Sequence, residues 1–292
     1  MKLNHIIIGA GRSGTTSLVA YLQQHPKINF STIKEVTYFS VKDHFKRGET
    51  FLHSFFKESE GKVNATSDTY LLMDEVAPKR IFDYNPDMKI AVILREPAAR
   101  TFSNYQYSLN QGYIDKKIAL MDSQKLEEKI LTSDDIIEQN NHCNFHGSLY
   151  HLHLTNWLKT FKKEQFFICT TQQLKDNPQQ LMDDYFQFSG LDKIEIQELG
   201  AQNKAASVKN KLLNQFLVNR DHWLRKLISK PLQISFLRKI VLNSNVVDTI
   251  KNKNKEEMVY QPMTEKELAF CENYFREDLK KLAADFNVEF KT

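Results

Sequence analysis

No run of about 18 apolar residues occurs in the chain, and the apolar start Ile6-Ile7-Ile8 is broken within a few positions by Gly9, Gly11 and Arg12. The expectation is neither a membrane span nor a signal peptide. Cysteine is scarce: Cys143, Cys169 and Cys271 are odd in number and far apart, which fits neither a disulfide framework nor a zinc site. That usage predicts a reducing, cytoplasmic setting. Charge of one sign is also in short supply, because a net +4 is too small by itself to indicate a nucleic-acid partner. Nine glycines exclude a collagen-like chain, and a 41% hydrophobic content with 20 Phe and 11 Tyr excludes disorder and supplies a large core. The length of 292 residues favours one domain over 1–292 with a C-terminal extension.

Residues 4–8 read as a short buried strand, rich in Ile and ended by glycines. A loop from Gly9 to Gly14 follows. Residues 15–24 then have helical spacing, with Leu18, Tyr21 and Leu22 on one face and Pro26 beyond the end. A second apolar strand at 89–94 runs into Arg95-Glu96-Pro97, after which Phe102, Tyr105 and Leu109 mark a helix over 98–109. Further helices are expected at 74–84, 148–161, 176–188 and 264–286, the last opened by a capping box of Thr264 with Glu267, and a further strand at 166–170. Strands alternating with helices predict an α/β fold of the P-loop type: a central parallel sheet flanked by helices, with a helical C-terminal extension.

Between residues 204 and 255 the composition shifts, with twelve Lys or Arg against only Asp221 and Asp248. Interleaved Leu, Ile, Phe and Trp223 make this a basic amphipathic helical segment. Three uses stay open for it: a lid over a site, the wall of an acceptor pocket, or, through 212–242, peripheral contact with an anionic membrane.

The chemistry concentrates in Gly9-Ala10-Gly11-Arg12-Ser13-Gly14-Thr15-Thr16, whose glycine spacing after a strand and before a helix is that of a phosphate loop. In such a loop, backbone N–H groups and the helix N-terminus surround an anion. The nucleoside-triphosphate version needs Lys directly after the second glycine, where this chain has Thr15. The cation is displaced to Arg12, placed for a shorter anionic group at a nucleotide 5′ position. The strand at 89–94 ends in Arg95 and so lacks the aspartate that holds Mg²⁺. A metal-dependent kinase is disfavoured, and no metal is implied.

Gly11-Arg12-Ser13-Gly14-Thr15-Thr16-Ser17-Leu18 resembles the 5′-phosphosulfate loop of sulfotransferases that use 3′-phosphoadenosine 5′-phosphosulfate (PAPS). Arg95-Glu96-Pro97-Ala98-Ala99-Arg100-Thr101-Phe102-Ser103 resembles the 3′-phosphate site of the same family, in which an Arg at a strand end and a Ser eight positions later bind one phosphate. The arginine offers forked charged donors and the serine a hydroxyl at the start of a helix. Lys34-Glu35-Val36-Thr37-Tyr38-Phe39 is similar to the Lys-Glu-x-x-Phe-Phe stretch of the heparan sulfate type, 3-O-sulfotransferases included, where the glutamate is the general base. The likeness continues through Ser148-Leu149-Tyr150-His151-Leu152-His153, Asn156-Trp157-Leu158 and Asp176-Asn177-Pro178, and covers most of 4–192. Asn203-Lys204-Ala205 and Lys209-Asn210 loosely resemble the loop that closes over the nucleotide in bacterial relatives. Two features differ: Thr66 stands where the heparan type's Lys-Thr-Pro-x-Tyr motif has its lysine, and the paired C-terminal cysteines of the animal enzymes are missing.

The resemblance implies sulfuryl transfer from PAPS to a hydroxyl of a carbohydrate or glycolipid, with a sterol or other lipid alcohol as the alternative acceptor. Glu35 would be the base. Arg12 would stabilise the departing phosphate oxygen, and Gly11, Ser13, Gly14, Thr15, Thr16, Ser17, Arg95, Ser103 and Lys209 would bind the donor alongside it. A P-loop nucleotide kinase or a non-catalytic nucleotide-binding module is the reading from another class, and a nucleic-acid binder is weaker because no reading motif occurs. Among the histidines, His25 reads as a structural cap, His151 and His153 as packed or surface residues, and His142 and His146 stay open.

Overall fold

The computed structural model describes residues 1–58, 60–197, 206–208, 255–257 and 262–290. Lys209, the segment 212–242 and nearly all of 204–255 lie outside the described residues. The chain divides into two compact units, one comprising Met1–Asn104, Leu120–Asn203 and Met263–Thr292, the other Tyr105–Ala119 and Lys204–Pro262.

The elements in chain order are β1 (His5–Gly9), α1 (Thr15–Leu22), β2 (Ile28–Phe30), α2 (Lys42–Phe45), α3 (Glu49–His53), β3 (Val63–Ser67), α4 (Ala77–Tyr84), β4 (Lys89–Leu94), α5 (Pro97–Gln111), α6 (Leu120–Ile130) and α7 (Ile136–His142). They continue with α8 (Tyr150–Leu158), β5 (Phe166–Thr170), α9 (Thr171–Asp176), α10 (Pro178–Ser189), β6 (Ala206–Val208), β7 (Lys255–Glu257) and α11 (Glu265–Phe286). The first five strands form one parallel sheet in the order β2-β3-β1-β4-β5. The α/β architecture therefore agrees with the alternation read from the sequence.

Parallel strands covered on both faces need apolar residues at successive positions, and alternate side chains then enter opposite layers. Ile6 and Ile8 of β1, with Ile90, Val92 and Leu94 of β4, pack on one side with Leu154, Trp157 and Leu282. Ile7, Ala91 and Ile93 pack on the other with Leu18, Leu22, Leu181 and Met182. One apolar triplet thus feeds both layers and fixes β1 in the middle of the sheet. Its neighbours β3 and β4 leave it in opposite directions along the sheet, which makes the carboxyl end of β1 a topological switch point, the usual ligand position in such sheets.

The C-terminal helix starts where the capping box placed it. Thr264 Oγ1 accepts from Glu267 N, and Glu267 Oε2 accepts from Thr264 N at 2.9 Å. Helix α11 also caps a neighbour: Asp278 accepts from the backbone amides of His151 and Leu152 in the first turn of α8. Burial pushes the Asp278 carboxyl up, and those amide bonds oppose the rise.

Strands β6 and β7, at the edges of the basic segment, pair antiparallel, with Ala206 opposite Glu257 and Val208 opposite Lys255; the helical reading of 204–255 falls on residues outside those described. Pairing between segments so far apart leaves no local periodicity to read. The helix expected over 74–84 begins only at Ala77, after a 3-10 turn over Leu71–Met73, because Asp74 Oδ1 accepts from the amides of Val76 and Ala77 and acts as the cap. Among the described residues, no helix is long and apolar enough to cross a membrane.

Candidate active site

The carboxyl ends of β1, β3 and β4 carry three turns: Ala10–Gly14, Asp68–Tyr70 and Arg95–Glu96. The first is shaped by unusual backbone. Arg12 has φ 70° and Gly14 φ 98°, both in the left-handed region. Glycine adopts it freely, whereas an arginine there costs on the order of 1 kcal/mol and persists only where surroundings enforce it.

Those surroundings are three side chains that each hold one carbonyl of the loop. Arg100 Nε donates to Gly11 O at 3.1 Å, Arg95 Nη1 to Arg12 O at 3.3 Å, and Thr171 Oγ1 to Ser13 O at 2.6 Å. Because the carbonyl and N–H of one trans peptide point opposite ways, fixing these oxygens turns the amides of Arg12 and Gly14 to the other side. The Ser13 amide is used internally, donating to Ala10 O.

Helix α1 then starts without a side-chain cap and without an acidic residue in its first turn. Helices α7, α9, α10 and α11, by contrast, are capped by Asp135, Thr170, Asn177 and Thr264. The first-turn amides of Thr15, Thr16 and Ser17 are left for a ligand, and the positive helix end favours an anion. Ser13 and Thr15 are buried, while Gly11, Arg12, Gly14, Thr16 and Ser17 are half-buried.

The second turn meets the first. Arg12 Nε donates to Ser103 Oγ at 3.4 Å, and Arg95 reaches the Arg12 carbonyl as described. Burial pulls Arg95 below its usual value, and the charge of Arg12 adds to the effect. Two guanidiniums this close form a site that an oxyanion relieves. The sequence put Arg12 on the 5′ side and Ser103 on the 3′-phosphate; the structure brings the two into contact. Ser103 also lies in the second turn of α5, not at its start.

The turn Asp68–Tyr70 meets the loop after β2 that carries Glu35. Glu35 has φ 60°, the same strained region as Arg12. Its Oε1 pairs with Lys34 Nζ at 2.5 Å, and its Oε2 accepts from both the amide of Thr69, at 2.6 Å, and the Thr69 hydroxyl, at 3.1 Å. Thr69 also borders the phosphate loop, since a Cβ built on Gly11 would lie 3.8 Å from Thr69 Oγ1. One residue therefore bonds the candidate base and borders the glycine loop. Beside it, Asp68 is fully buried, and burial with the nearby Glu35 charge pushes its carboxyl well up.

Sequence reasoning missed Asp68, Thr69, Arg100 and Thr171. Only Arg100 had a local signal, as a charged residue on the inward face of a helix. It is buried, and it also donates to Asn144 O at 2.9 Å and Ser148 Oγ at 3.2 Å. Tyr150, from a quoted stretch, supports the second turn from below: burial pushes its phenol up to about 12, and the un-ionised hydroxyl donates to Arg95 O at 2.8 Å.

The histidines sort by geometry. His25 Nδ1 accepts from Lys27 N and its Nε2 faces Asp192 O, bracing the turn after α1. His153 is buried against His146 O and burial pulls it to about 3, so it is neutral. His151 pairs with Asp285. Burial also lowers His142 and His146. Among the described residues, no group of three or more His, Cys, Asp or Glu could hold a metal ion.

A parallel sheet whose central strand opens into an uncapped, arginine-bearing glycine loop defines the class of phosphate-loop proteins. Within that class the chain belongs to the sulfotransferase domain family, whose family model matches residues 4–280. It is similar to mouse bifunctional heparan sulfate N-deacetylase/N-sulfotransferase 1, with 29% identity over 201 residues, 64% of this chain and 22% of that protein. It is also similar to mouse heparan sulfate glucosamine 3-O-sulfotransferase 5, with 27% identity over 175 residues, 59% of this chain and 49% of that protein. The chain thus matches half or less of the length of these curated relatives. In fold it resembles a solved sulfotransferase from Alicyclobacillus acidocaldarius, with a TM-score of 0.67 and 19% identity, covering 99% of this chain and 98% of that one.

Proposed function

We propose that this protein transfers the sulfuryl group of PAPS to a hydroxyl of a carbohydrate acceptor, with 1–292 acting as one functional sulfotransferase domain. The observation that supports the reading is the contact of Arg12 with Ser103, which would join the loop read as the 5′-anion site to the turn read as the 3′-phosphate site. Such a pair suits a nucleotide that is charged at both ends and is wasted on ATP, whose ribose has no 3′-phosphate.

In this reading the loop amides and the first turn of α1 bind the 5′-phosphosulfate, while Arg95 and Ser103 bind the 3′-phosphate. The acceptor oxygen forms a bond to sulfur as the bond from sulfur to the bridging phosphate oxygen breaks. Glu35 takes the acceptor proton, and Arg12 with the loop amides stabilises the charge left on the phosphate. Products are a sulfate ester and adenosine 3′,5′-bisphosphate. Thr69 holds Glu35 Oε2, so Oε1, now paired with Lys34, is the oxygen that receives the proton once the acceptor displaces the lysine.

Carbohydrate is preferred as acceptor because these relatives are named for heparan sulfate and Lys34-Glu35 resembles the base stretch of that type. The test is a comparison of ligands without added metal. Adenosine 3′,5′-bisphosphate should raise the melting temperature well above any effect of ATP, and labelled PAPS should mark a polysaccharide fraction. Equal shifts with Mg-ATP would favour a kinase, and label entering only sterol or other lipid alcohols would replace the acceptor class.

A further inference from the structure

The carboxyl of Asp68 lies immediately after β3, bonded both to its own turn, which holds the candidate base through Thr69, and to the loop that begins at that base. Its amide donates to Ile7 O at 2.9 Å, which pins the residue to the end of β1. Its Oδ1 accepts from Tyr70 N at 3.1 Å, closing a tight turn around Thr69. Its Oδ2 accepts from Ser40 Oγ at 2.6 Å, on the far side of the loop that begins at Glu35. Between these anchors Val36 N donates to Ser67 O at 3.2 Å. The base loop is thus attached to the end of β3 at both of its ends, and Thr69 sits between them with its amide and hydroxyl on Glu35 Oε2.

A buried carboxyl normally costs stability unless its oxygens are satisfied. Asp68 has 0% exposure and lies close to a second carboxylate, Glu35, and both its oxygens are engaged, Oδ1 by Tyr70 N and Oδ2 by Ser40 Oγ.

We propose that Asp68 is the positioning residue for Glu35, closing the turn that aims both Thr69 donors at Oε2 and anchoring Ser40, so that one carboxylate oxygen stays turned toward the acceptor. The inference rests on Glu35 being the base. Asp68 touches neither nucleotide nor acceptor in this arrangement; it acts through Thr69 and the loop 35–40.

The experiment compares steady-state turnover of Asp68→Ala, Asp68→Asn, Ser40→Ala and Glu35→Gln, together with the Asp68→Ala/Glu35→Gln double variant, in the full chain with PAPS and the acceptor fraction that the wild type labels. Asp68→Ala should lower kcat by about 30-fold, with the Kd for adenosine 3′,5′-bisphosphate within about twofold of wild type. Asp68→Asn keeps an oxygen for Tyr70 N and should recover most of the loss. Ser40→Ala should lower kcat by about fivefold. In the Glu35→Gln background, Asp68→Ala should add nothing, because the residue it orients is already disabled. Full turnover by Asp68→Ala, additive losses in the double variant, or an equal fall in bisphosphate affinity would each overturn the inference. Should Glu35→Gln itself stay active, the base assignment fails first and separately. If Asp68→Ala does not fold, Asp68→Asn and Ser40→Ala decide: wild-type kcat in both overturns the proposal.

Discussion

Arg12 Nε and Ser103 Oγ lie 3.4 Å apart although 91 positions separate them in the chain. Each belongs to a different strand-turn-helix unit, and β1 and β4 are adjacent strands, so hydrogen bonding between the strands brings the two turns together. Arg12 holds its strained backbone because Arg95 grips its carbonyl, and its side chain leans on the residue expected to bind phosphate. The pair links the geometry of the first loop to the helix that follows β4.

Replacing Arg12 by Ala should weaken adenosine 3′,5′-bisphosphate binding by about 10–100-fold, the loss of charged hydrogen bonds worth about 1.5–3 kcal/mol. Ser103→Ala should cost less, about fivefold. The double variant should lose less than the product of the two, since the residues touch. Calorimetric titration reads all three, and unchanged affinity in Arg12→Ala would remove this residue from the site.

Glu35→Gln keeps the hydrogen bond from Thr69 to a side-chain oxygen but cannot accept a proton. Turnover should fall by about 10²–10⁴-fold while bisphosphate affinity stays within about twofold. Single-turnover assays with bound PAPS make the separation. A variant retaining a third of the wild-type rate would move the base elsewhere.

Gly147 lies against the buried Arg100. A Cβ built there would stand 2.6 Å from Arg100 Nη1, a distance real side chains do not tolerate. Arg100 is held by Gly11 O, Asn144 O and Ser148 Oγ, so it has little room to yield. Gly147→Ala should destabilise the fold by about 1–3 kcal/mol in urea unfolding. It should also weaken bisphosphate binding, because displacing Arg100 releases the Gly11 carbonyl.

Glu127 accepts from the backbone amides of Phe145 and His146, each at 2.8 Å, and burial pushes its carboxyl up to about 7. The unfolded chain releases this proton near the ordinary glutamate value and the folded chain only near 7, so the folded state binds more protons between them. Stability from this residue is therefore present at low pH and is lost as pH rises through about 7, by on the order of 3 kcal/mol. The stability difference between wild type and Glu127→Gln should shrink across that range and level off above it. Denaturant melts at pH 5, 6, 7 and 8 check this, and a flat difference would show that Glu127 titrates normally.

Much of this protein was legible in its sequence because the informative features are local. The glycine loop, the Arg95 turn and the Thr264 capping box each need only a few successive residues, and β1, β4 and β5 announce themselves as apolar runs. β3, Val63-Asn64-Ala65-Thr66-Ser67, has no such run and was not expected, and neither was the three-residue β2. β3 takes its place by pairing with β1, and β2 by pairing with β3. The pairing of β6 with β7 was equally hidden, because those two short strands are set by each other across dozens of residues.

By itself the chain determined where backbone donors, glycine turns and arginine charge come together, since these are properties of short segments. Only the tertiary structure decided how those pieces are aimed. Thr69 meets Glu35 from 34 positions away, Arg100 meets Gly11 from 89, and Thr171 meets Ser13 from 158. A hydrogen bond depends on distance and direction in space, and no pattern along a chain encodes those until the sheet has closed.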